Sequence, residues 1–156
     1  MLNVDGAVCR AEVTMAVYES SPFFSIIIPT RNRPALLQRA LESVKSQTFG
    51  DREILVVVDG SNDEYLKRYR DMDAHSEDIS FVYLAHRSAG HGQSYSMNVG
   101  VDHSTGGYLC FLDDDDVWTD DFYLETVHAS ITASDQPVDL HYSNQKAFYS
   151  DGSTTD

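Results

Sequence analysis

The sequence from Tyr108 to Trp118 reads Tyr-Leu-Cys-Phe-Leu-Asp-Asp-Asp-Asp-Val-Trp. The apolar residues at its start have the length and composition of a buried strand. Four consecutive carboxylates therefore begin where such a strand would end, and in open α/β sheets ligands bind at that edge. The apolar pairs Phe111-Leu112 and Val117-Trp118 on either side predict that the core frames the acidic run.

Four adjacent aspartates repel one another, and this crowding raises the pKa of some of them unless a cation intervenes. Oxygen-only ligands at this spacing suit Mg²⁺ or Mn²⁺. Two interpretations are open: a metal site for a phosphorylated substrate, or a solvated acidic loop. The apolar frame favours the metal site. Trp118 is interpreted as a packing plug or as a platform for a sugar ring, and the plug is favoured.

Composition narrows the classes of protein to which the chain can belong. Its 156 residues, 42% of them hydrophobic, are enough for one soluble domain with a core. A net charge of −14 argues against non-specific binding to nucleic acid, which needs a basic face. The sequence has no run of membrane-span length, and residues 1–21 lack a signal pattern, so a cytoplasmic location is expected.

Strand and helix patterns alternate along the chain. We predict an α/β fold of Rossmann-like type, with a mostly parallel sheet flanked by helices. The predicted strands are 23–28, 53–58, 79–84 and 108–112, and the predicted helices are 34–47, 64–73, 94–102 and 120–134, with Ser94 as an N-cap.

The segment after Pro137 is predicted to be extended. Residues 138–142 and 145–149 have the composition of short strands, and Asp151-Gly152 is a hairpin turn signal. The sequence stops at Asp156, where a returning strand should follow, so the fold is expected to be incomplete at its C-terminus.

Three polar loops follow predicted strands. They are Thr30–Arg33, Asp59–Asp63 and Asp113–Asp116. If the strands are parallel, all three loops lie at one edge of the sheet. Their convergence is a stronger indication of a site than any one loop.

The first two loops carry groups that suit a nucleotide. The hydroxyl, amide and two guanidiniums of Thr30–Arg33 fit a base edge and phosphate oxygens, although Arg31 and Arg33 also fit ordinary surface charge. Asp59 can accept from a base N–H or a ribose hydroxyl, or it can hold its own turn. His91, between two glycines, lies in a loop that would let it approach a phosphate.

Three motifs occur in order along the chain. They are Phe24-Ser-Ile-Ile-Ile-Pro-Thr-Arg-Asn-Arg33, Val57-Val-Asp-Gly-Ser-Asn-Asp63 and Gly107-Tyr-Leu-Cys-Phe-Leu-Asp-Asp-Asp-Asp-Val-Trp118. Together they resemble the family 2 glycosyltransferases of GT-A fold, over about residues 23–149. The resemblance implies an N-terminal extension over 1–21 and a GT-A nucleotide-sugar-binding domain over 22–156, without its acceptor-side part.

The resemblance also implies a reaction. Members transfer a sugar from a nucleotide-diphosphate donor to an acceptor hydroxyl, with inversion at the anomeric carbon. It implies a UDP-sugar as donor, a glycan or a lipid-linked molecule as acceptor, and Mg²⁺ or Mn²⁺ as cofactor. The resemblance leaves open whether the protein forms a homo-oligomer.

The resemblance assigns roles residue by residue. Asp59 would contact the base, and Asp113-Asp114-Asp115 would be the D-x-D motif, with Asp115 as the direct metal ligand. The implied nucleotide-binding residues are Pro29, Thr30, Arg31, Asp59, Asp113 and Asp114. The implied metal ligands are Asp113 and Asp115.

Two departures from the family pattern stand in this sequence. Val58 replaces the first residue of the usual Asp-Asp-Gly-Ser, and Ser96-Met97-Asn98 replaces Ala-Arg-Asn, which removes a common basic residue. The family's general base, an acid in a later segment, has no counterpart before Asp156, so no catalytic residue is assigned. Asp139 and Asp151 are candidates by position alone.

Two other functions remain open from the sequence. One is a GT-A-like module that binds a nucleotide or assembles with a partner without transferring sugar. The other is a metal-dependent phosphotransferase with Asp113 as its nucleophile.

Overall fold

The computed structural model describes residues 21–142, 146–148 and 154–155. The predicted N-terminal extension, apart from its last residue, and the predicted turn at Asp151-Gly152 lie outside these residues.

The chain alternates strands and helices, as predicted. In chain order the elements are β1 (Phe24–Thr30), α1 (Pro34–Lys45), β2 (Arg52–Val58), α2 (Asp63–Ala74), β3 (Ile79–Tyr83), α3 (Gln93–His103), β4 (Tyr108–Phe111), α4 (Tyr123–Thr132), β5 (Ala147–Phe148) and β6 (Thr154–Thr155). The first four strands form a parallel sheet in the order β3-β2-β1-β4. The predicted α/β class, with a parallel sheet flanked by helices, is confirmed.

The centre of the sheet is buried because its strands are continuously apolar. Every residue of β1 is buried, and so are the last five residues of β2. One face packs under α1, α2 and α4, with Leu37, Tyr69 and Leu124 fully buried against Ile26 and Ile28. A near-continuous hydrophobic run is typical of strands covered on both faces.

Helix α3 covers the other face of β1 and β2. Gly100 allows this close approach, because a Cβ at that position would lie 2.4 Å from Cγ2 of Ile27. The absence of a side chain at one position of α3 therefore sets how near the helix comes to the sheet.

Strand β4 differs from the prediction of a buried strand. It pairs only with β1 among the described strands, and it lies at the edge of the sheet. Leu109 and Phe111 are 41% and 48% exposed, and Val117 after the acidic run is 38% exposed. The expected apolar frame is therefore wrong at Phe111 and Val117. Helix α3 packs on β1 and β2, which leaves Phe111 on the edge strand exposed. Leu112 is buried, and Trp118 packs against the core.

The prediction of a strand at 138–142 is also wrong. These residues are irregular, with Leu140 and Tyr142 80% and 84% exposed. Alternating apolar residues favour a strand only where a ladder partner exists, and none pairs with them in the described part of the chain. Ala147–Phe148 pairs with Thr154–Thr155 in an antiparallel ribbon, so a returning strand occurs before Asp156.

Two further observations concern the length of the helices and the state of Cys110. No helix in the described ranges is long and apolar enough to span a bilayer. Cys110 is a free thiol, and burial raises its pKa to about 11, so it stays protonated at neutral pH.

Candidate functional site

A cavity of about 360 Å³ opens at the carboxyl edge of the parallel sheet. Its lining comes from the ends of β1, β2 and β4 and from the start of α3. The lining residues are Pro29, Thr30, Arg31, Arg33, Asp59, Ala89, Gly92, Gln93, Ser96, Asp113 and Asp115. The three loops expected at one edge therefore meet there. A segment before α3 joins them, and His91 between two glycines was the only sign of it in the sequence.

The acidic run forms a tight turn that separates its carboxylates. The Asp116 amide donates to the Asp113 carbonyl at 3.1 Å, as in a β-turn. Asp114 points inward and is fully buried, whereas the Asp115 side chain is 49% exposed. Burial, with the nearby charges of Asp113 and Asp115, raises the pKa of Asp116.

Asp114 is held by groups from the first loop. The Thr30 hydroxyl donates to its Oδ2 at 2.6 Å, Nε of Arg33 donates to the same oxygen at 3.2 Å, and Nη2 of Arg33 contacts Oδ1. Burial raises the pKa of Asp114, while the Thr30 hydroxyl and the Arg33 charge oppose that rise. Asp114 does not line the cavity. Its Oδ2 accepts from Thr30 and Arg33, whereas its buried Oδ1 has the ion-pair contact with Arg33 and no hydrogen bond.

Tyr69 of α2 completes this inner network, a role that its sequence did not reveal. Its hydroxyl accepts from the Arg33 amide at 2.9 Å and lies 3.0 Å from the Thr30 hydroxyl. The side chain of Tyr69 is fully buried in the core, on the apolar side of α2. A helical apolar stripe does not indicate where the polar end of a tyrosine points.

Asp59 binds the segment before α3. Its carboxylate accepts from the amides of His91, at 2.7 and 2.9 Å, and Gly92, at 2.9 Å, and His91 Nδ1 lies 2.8 Å away. Burial alone would raise the pKa of Asp59, but these donors outweigh burial and hold it below its usual value. Gly92, with φ 98°, is the N-cap of α3, so the predicted Ser94 cap is wrong.

Arg31 crosses this segment at Gly90. Its Nη2 donates to the Ser88 carbonyl at 2.8 Å. Gly90 has φ +74°, and a Cβ there would lie 2.7 Å from both Nε of Arg31 and Oδ2 of Asp59. A glycine is therefore required at this wall of the cavity, because its φ is in the left-handed region and a side chain would collide with both Arg31 and Asp59.

Asp113 lines the cavity, whereas Trp118 packs against the core. Gln93 Nε2 donates to Oδ1 of Asp113 at 2.5 Å, which joins the acidic run to the first turn of α3. The Trp118 amide donates to the Ser43 hydroxyl, and its ring lies 5.2 Å from that of Tyr123. These contacts favour the packing plug over the sugar platform.

The carboxylates at the cavity meet part of what a divalent cation requires. Within the described ranges, no three His, Cys, Asp or Glu side chains are grouped to hold a metal. Asp113 and Asp115 do line the same cavity. Mg²⁺ is typically bound by one or two carboxylates together with substrate phosphates and water. The donor set therefore fits a cation that arrives with a phosphorylated ligand, and it does not fit a closed protein cage.

Comparison with known proteins gives the family. The model of glycosyl transferase family 2 matches residues 25–150. The chain belongs to this family. The match covers the three motifs that form the cavity, apart from Phe24.

Relatives of the family 2 chain are known from several bacteria. It is 38% identical over 123 residues to a PGL/p-HBAD biosynthesis glycosyltransferase of Mycobacterium bovis, covering 79% of this chain and 46% of that protein. It is 35% identical over 95 residues to the GalNAc(5)-diNAcBac-PP-undecaprenol beta-1,3-glucosyltransferase of Campylobacter jejuni, covering 61% and 30%. The chain thus spans less than half the length of these relatives.

Solved structures agree with the fold of the family 2 chain. S. aureus TarS 1-349 in complex with UDP has a TM-score of 0.59 at 28% identity, covering 70% of this chain and 32% of that one. The mannosyltransferase PcManGT of Pyrobaculum calidifontis, in complex with GDP-Man and Mn²⁺, has a TM-score of 0.56 at 24% identity, covering 65% and 30%. The GT-A type of the predicted fold is confirmed.

Proposed function

We propose that the family 2 chain is the nucleotide-sugar-binding part of an inverting glycosyltransferase that transfers a sugar from a UDP-sugar to an acceptor hydroxyl on a glycan or a lipid-linked molecule. The observation that carries this proposal is the cavity itself. It places the guanidiniums of Arg31 and Arg33 beside the carboxylates of Asp113 and Asp115 at the edge where α/β sheets bind ligands. A diphosphate with a divalent cation matches that mixture of charges.

The nucleoside would lie along the first two loops. We assign Pro29, Thr30 and Arg31 to its pocket, and Asp59 to the base. Asp59 already accepts from His91 and Gly92, so its contact with a base N–H would share oxygens that the protein engages. The complexes of TarS with UDP and UDP-GlcNAc support uridine as the nucleoside.

The diphosphate would lie between the arginines and the acidic turn. As the glycosidic bond breaks, negative charge develops on the leaving diphosphate, and donors fixed in advance stabilise it. We assign Asp113 and Asp115 as ligands of Mg²⁺ or Mn²⁺, which when bound supplies a Lewis acid to the diphosphate. Asp114 would act from behind the nucleotide site, by holding Thr30 and Arg33 in place.

A binding titration tests the proposal. UDP, UDP-GlcNAc and GDP-mannose are titrated by calorimetry in MnCl₂ and again in EDTA. We expect UDP and UDP-GlcNAc to bind in MnCl₂, and Asp115→Asn to weaken that binding at least about tenfold, or about 1.4 kcal/mol. Asp135→Asn removes the same charge from an exposed position away from the cavity and should bind as the wild type does.

Two results would count against the proposal. If UDP bound equally tightly in MnCl₂ and in EDTA, no metal would take part in its binding. If Asp115→Asn bound UDP as tightly as the wild type does, Asp115 would not be a metal ligand. Release of UDP from UDP-GlcNAc in the presence of an acceptor would exclude the non-catalytic module, whereas binding without release agrees with both functions, because no general base is assigned in this chain.

A further inference from the structure

Arg33 joins two carboxylates that differ sharply in exposure. Its Nε and Nη2 contact Asp114, and its Nη1 donates to Oδ2 of Asp115 at 2.8 Å. Asp114 is fully buried, whereas the side chains of Arg33 and Asp115 are 46% and 49% exposed. One guanidinium therefore has a buried partner and a solvent-accessible partner.

The contact with Asp114 is the permanent one. A buried carboxylate needs a charged or hydrogen-bonding partner, because its removal from water is otherwise strongly unfavourable. Arg33 supplies two of its nitrogen atoms, Nε as a hydrogen-bond donor to Oδ2 and Nη2 as an ion-pair contact to Oδ1, and a guanidinium is well suited to pairing with a carboxylate. The position of the guanidinium is thus fixed by the core, through Asp114 and the Thr30 hydroxyl beside it.

The contact with Asp115 is easily broken. Ion pairs between half-exposed side chains are weak, and losing one changes an equilibrium constant by at most about fivefold. Arg33 and Asp115 both line the cavity, together with Asp113. Nη1 therefore reaches a ligand position of the proposed site while the rest of the guanidinium stays anchored.

We propose that Arg33 is a nucleotide-binding residue whose Nη1 changes its acceptor. In the free protein Nη1 donates to Asp115 and neutralises that carboxylate. When a divalent cation is held by Asp115, Nη1 donates instead to a phosphate oxygen of the nucleotide. The proposal rests on the proposed function, since it takes Asp115 as the metal ligand. It adds that the guanidinium of Arg33 balances the charge of Asp115 until a cation takes its place.

A coupling between metal and nucleotide follows from this exchange. When metal binds alone, the contact between Asp115 and Nη1 of Arg33 is lost, and Nη1 has no new acceptor. With nucleotide present, Nη1 has a new acceptor, so each ligand strengthens the binding of the other by the same factor. The size of that factor depends on Arg33 and is measurable without any turnover.

Arg33→Lys is the variant that separates the two contacts. A single ammonium can pair with buried Asp114 but cannot span both carboxylates as a guanidinium does. We expect the variant to bind Mn²⁺ alone up to about fivefold more tightly, as the competing contact is lost. We expect UDP in saturating MnCl₂ to bind about tenfold more weakly, as the phosphate loses a charge-assisted donor. Free Mn²⁺ is counted by electron paramagnetic resonance, and UDP binding is measured by calorimetry.

Arg39→Lys is the matched control, because Arg39 is exposed on α1 and does not line the cavity. This variant should change neither the affinity for Mn²⁺ alone nor the affinity for UDP in saturating MnCl₂. The thermal unfolding midpoint of each variant shows whether it is folded. Should Arg33→Lys fail to fold, nitrogen-15 resonances of the Arg33 guanidinium in the wild-type protein give the same answer. They should shift with MgCl₂ and shift again when UDP is added.

The outcomes distinguish this inference from the proposed function. A wild-type protein that shows no metal-dependent UDP binding contradicts both. A wild-type protein that shows it, with Arg33→Lys binding Mn²⁺ alone no more tightly or with guanidinium resonances that do not move, contradicts the role of Arg33 only.

Discussion

Asp114 and Asp115 are adjacent in the sequence, yet their side chains have opposite surroundings. Asp114 is buried against Thr30 and Arg33, and Asp115 faces the cavity with half of its side chain exposed. In a run of four identical residues, nothing in the sequence indicates which one turns inward. The β-turn from Asp113 to Asp116 makes that choice.

Asp59 is the residue whose contacts predict a pH dependence. Its pKa in the folded protein is lowered, so the stability that it contributes is fully present above the pKa of an ordinary carboxyl, about 3.9. That contribution is lost as the pH falls through the lowered value. Asp59→Asn should therefore reduce the free energy of unfolding by about 1–3 kcal/mol at neutral pH. The difference from wild type should narrow below about pH 4.

The measurement is the thermal unfolding midpoint of both proteins from pH 7 to pH 3. Asp102→Asn is the control, because Asp102 is exposed near the end of α3. A difference between wild type and Asp59→Asn that stays constant down to pH 3 would mean that the carboxylate is not held by His91 and Gly92.

Helix α3 is positioned by residues outside itself. Its first turn has no side-chain cap of its own, and Asp59 from the end of β2 binds the amides that precede it. Its middle contacts β1 through Gly100. The sequence indicated a helix here within one residue of its observed limits, but both contacts that set its place come from distant segments.

Gly100→Ala should push α3 away from the sheet. The added methyl would lie 2.4 Å from Ile27 Cγ2, and neither backbone can yield easily in a packed layer. Overpacking of this kind destabilises a protein by about 1–3 kcal/mol. We expect a fall of that size in denaturant unfolding, together with weaker binding of UDP, because the start of α3 lines the cavity.

Gly50→Ala is the matched control, since a Cβ at Gly50 would meet no atom within 4 Å. The two variants make the same chemical change in a tight and an open place. Equal stability of both would show that α3 and β1 are not packed as described.

The molecule as a whole combines a high negative charge with an apolar edge. The net charge is −14, while β4 presents Leu109 and Phe111 at the edge of the sheet. An edge strand with half-exposed apolar side chains favours pairing with another chain unless something covers it. Negative charge opposes such association, and salt screens that charge.

Phe111→Lys should lower self-association of the protein, most visibly at high salt. A lysine on an edge strand blocks edge-to-edge pairing. The sedimentation coefficient measured against protein concentration, in low and high NaCl, gives the result. Phe122→Lys makes the same change at a 60% exposed position on the N-terminal side of α4 and should have less effect. Similar effects of both variants would show that surface charge, and not the β4 edge, controls association.

Strands β1 to β4, helices α1 to α4 and the edge at which the polar loops meet could all be predicted from the sequence. Continuous apolar runs predict buried parallel strands, and parallel strands leave the loops that follow them on one side. These are local patterns and their direct geometric consequence. The strand predicted at 138–142 failed, because an apolar alternation does not specify a partner.

The tertiary structure alone decided which charges are paired. Arg33 meets Asp114 across 81 residues, and Asp59 meets His91 across 32. It also decided that Tyr69 supports the site and that β4 is an edge. Such contacts depend on how packed elements bring distant side chains together, and no periodicity within a segment records them.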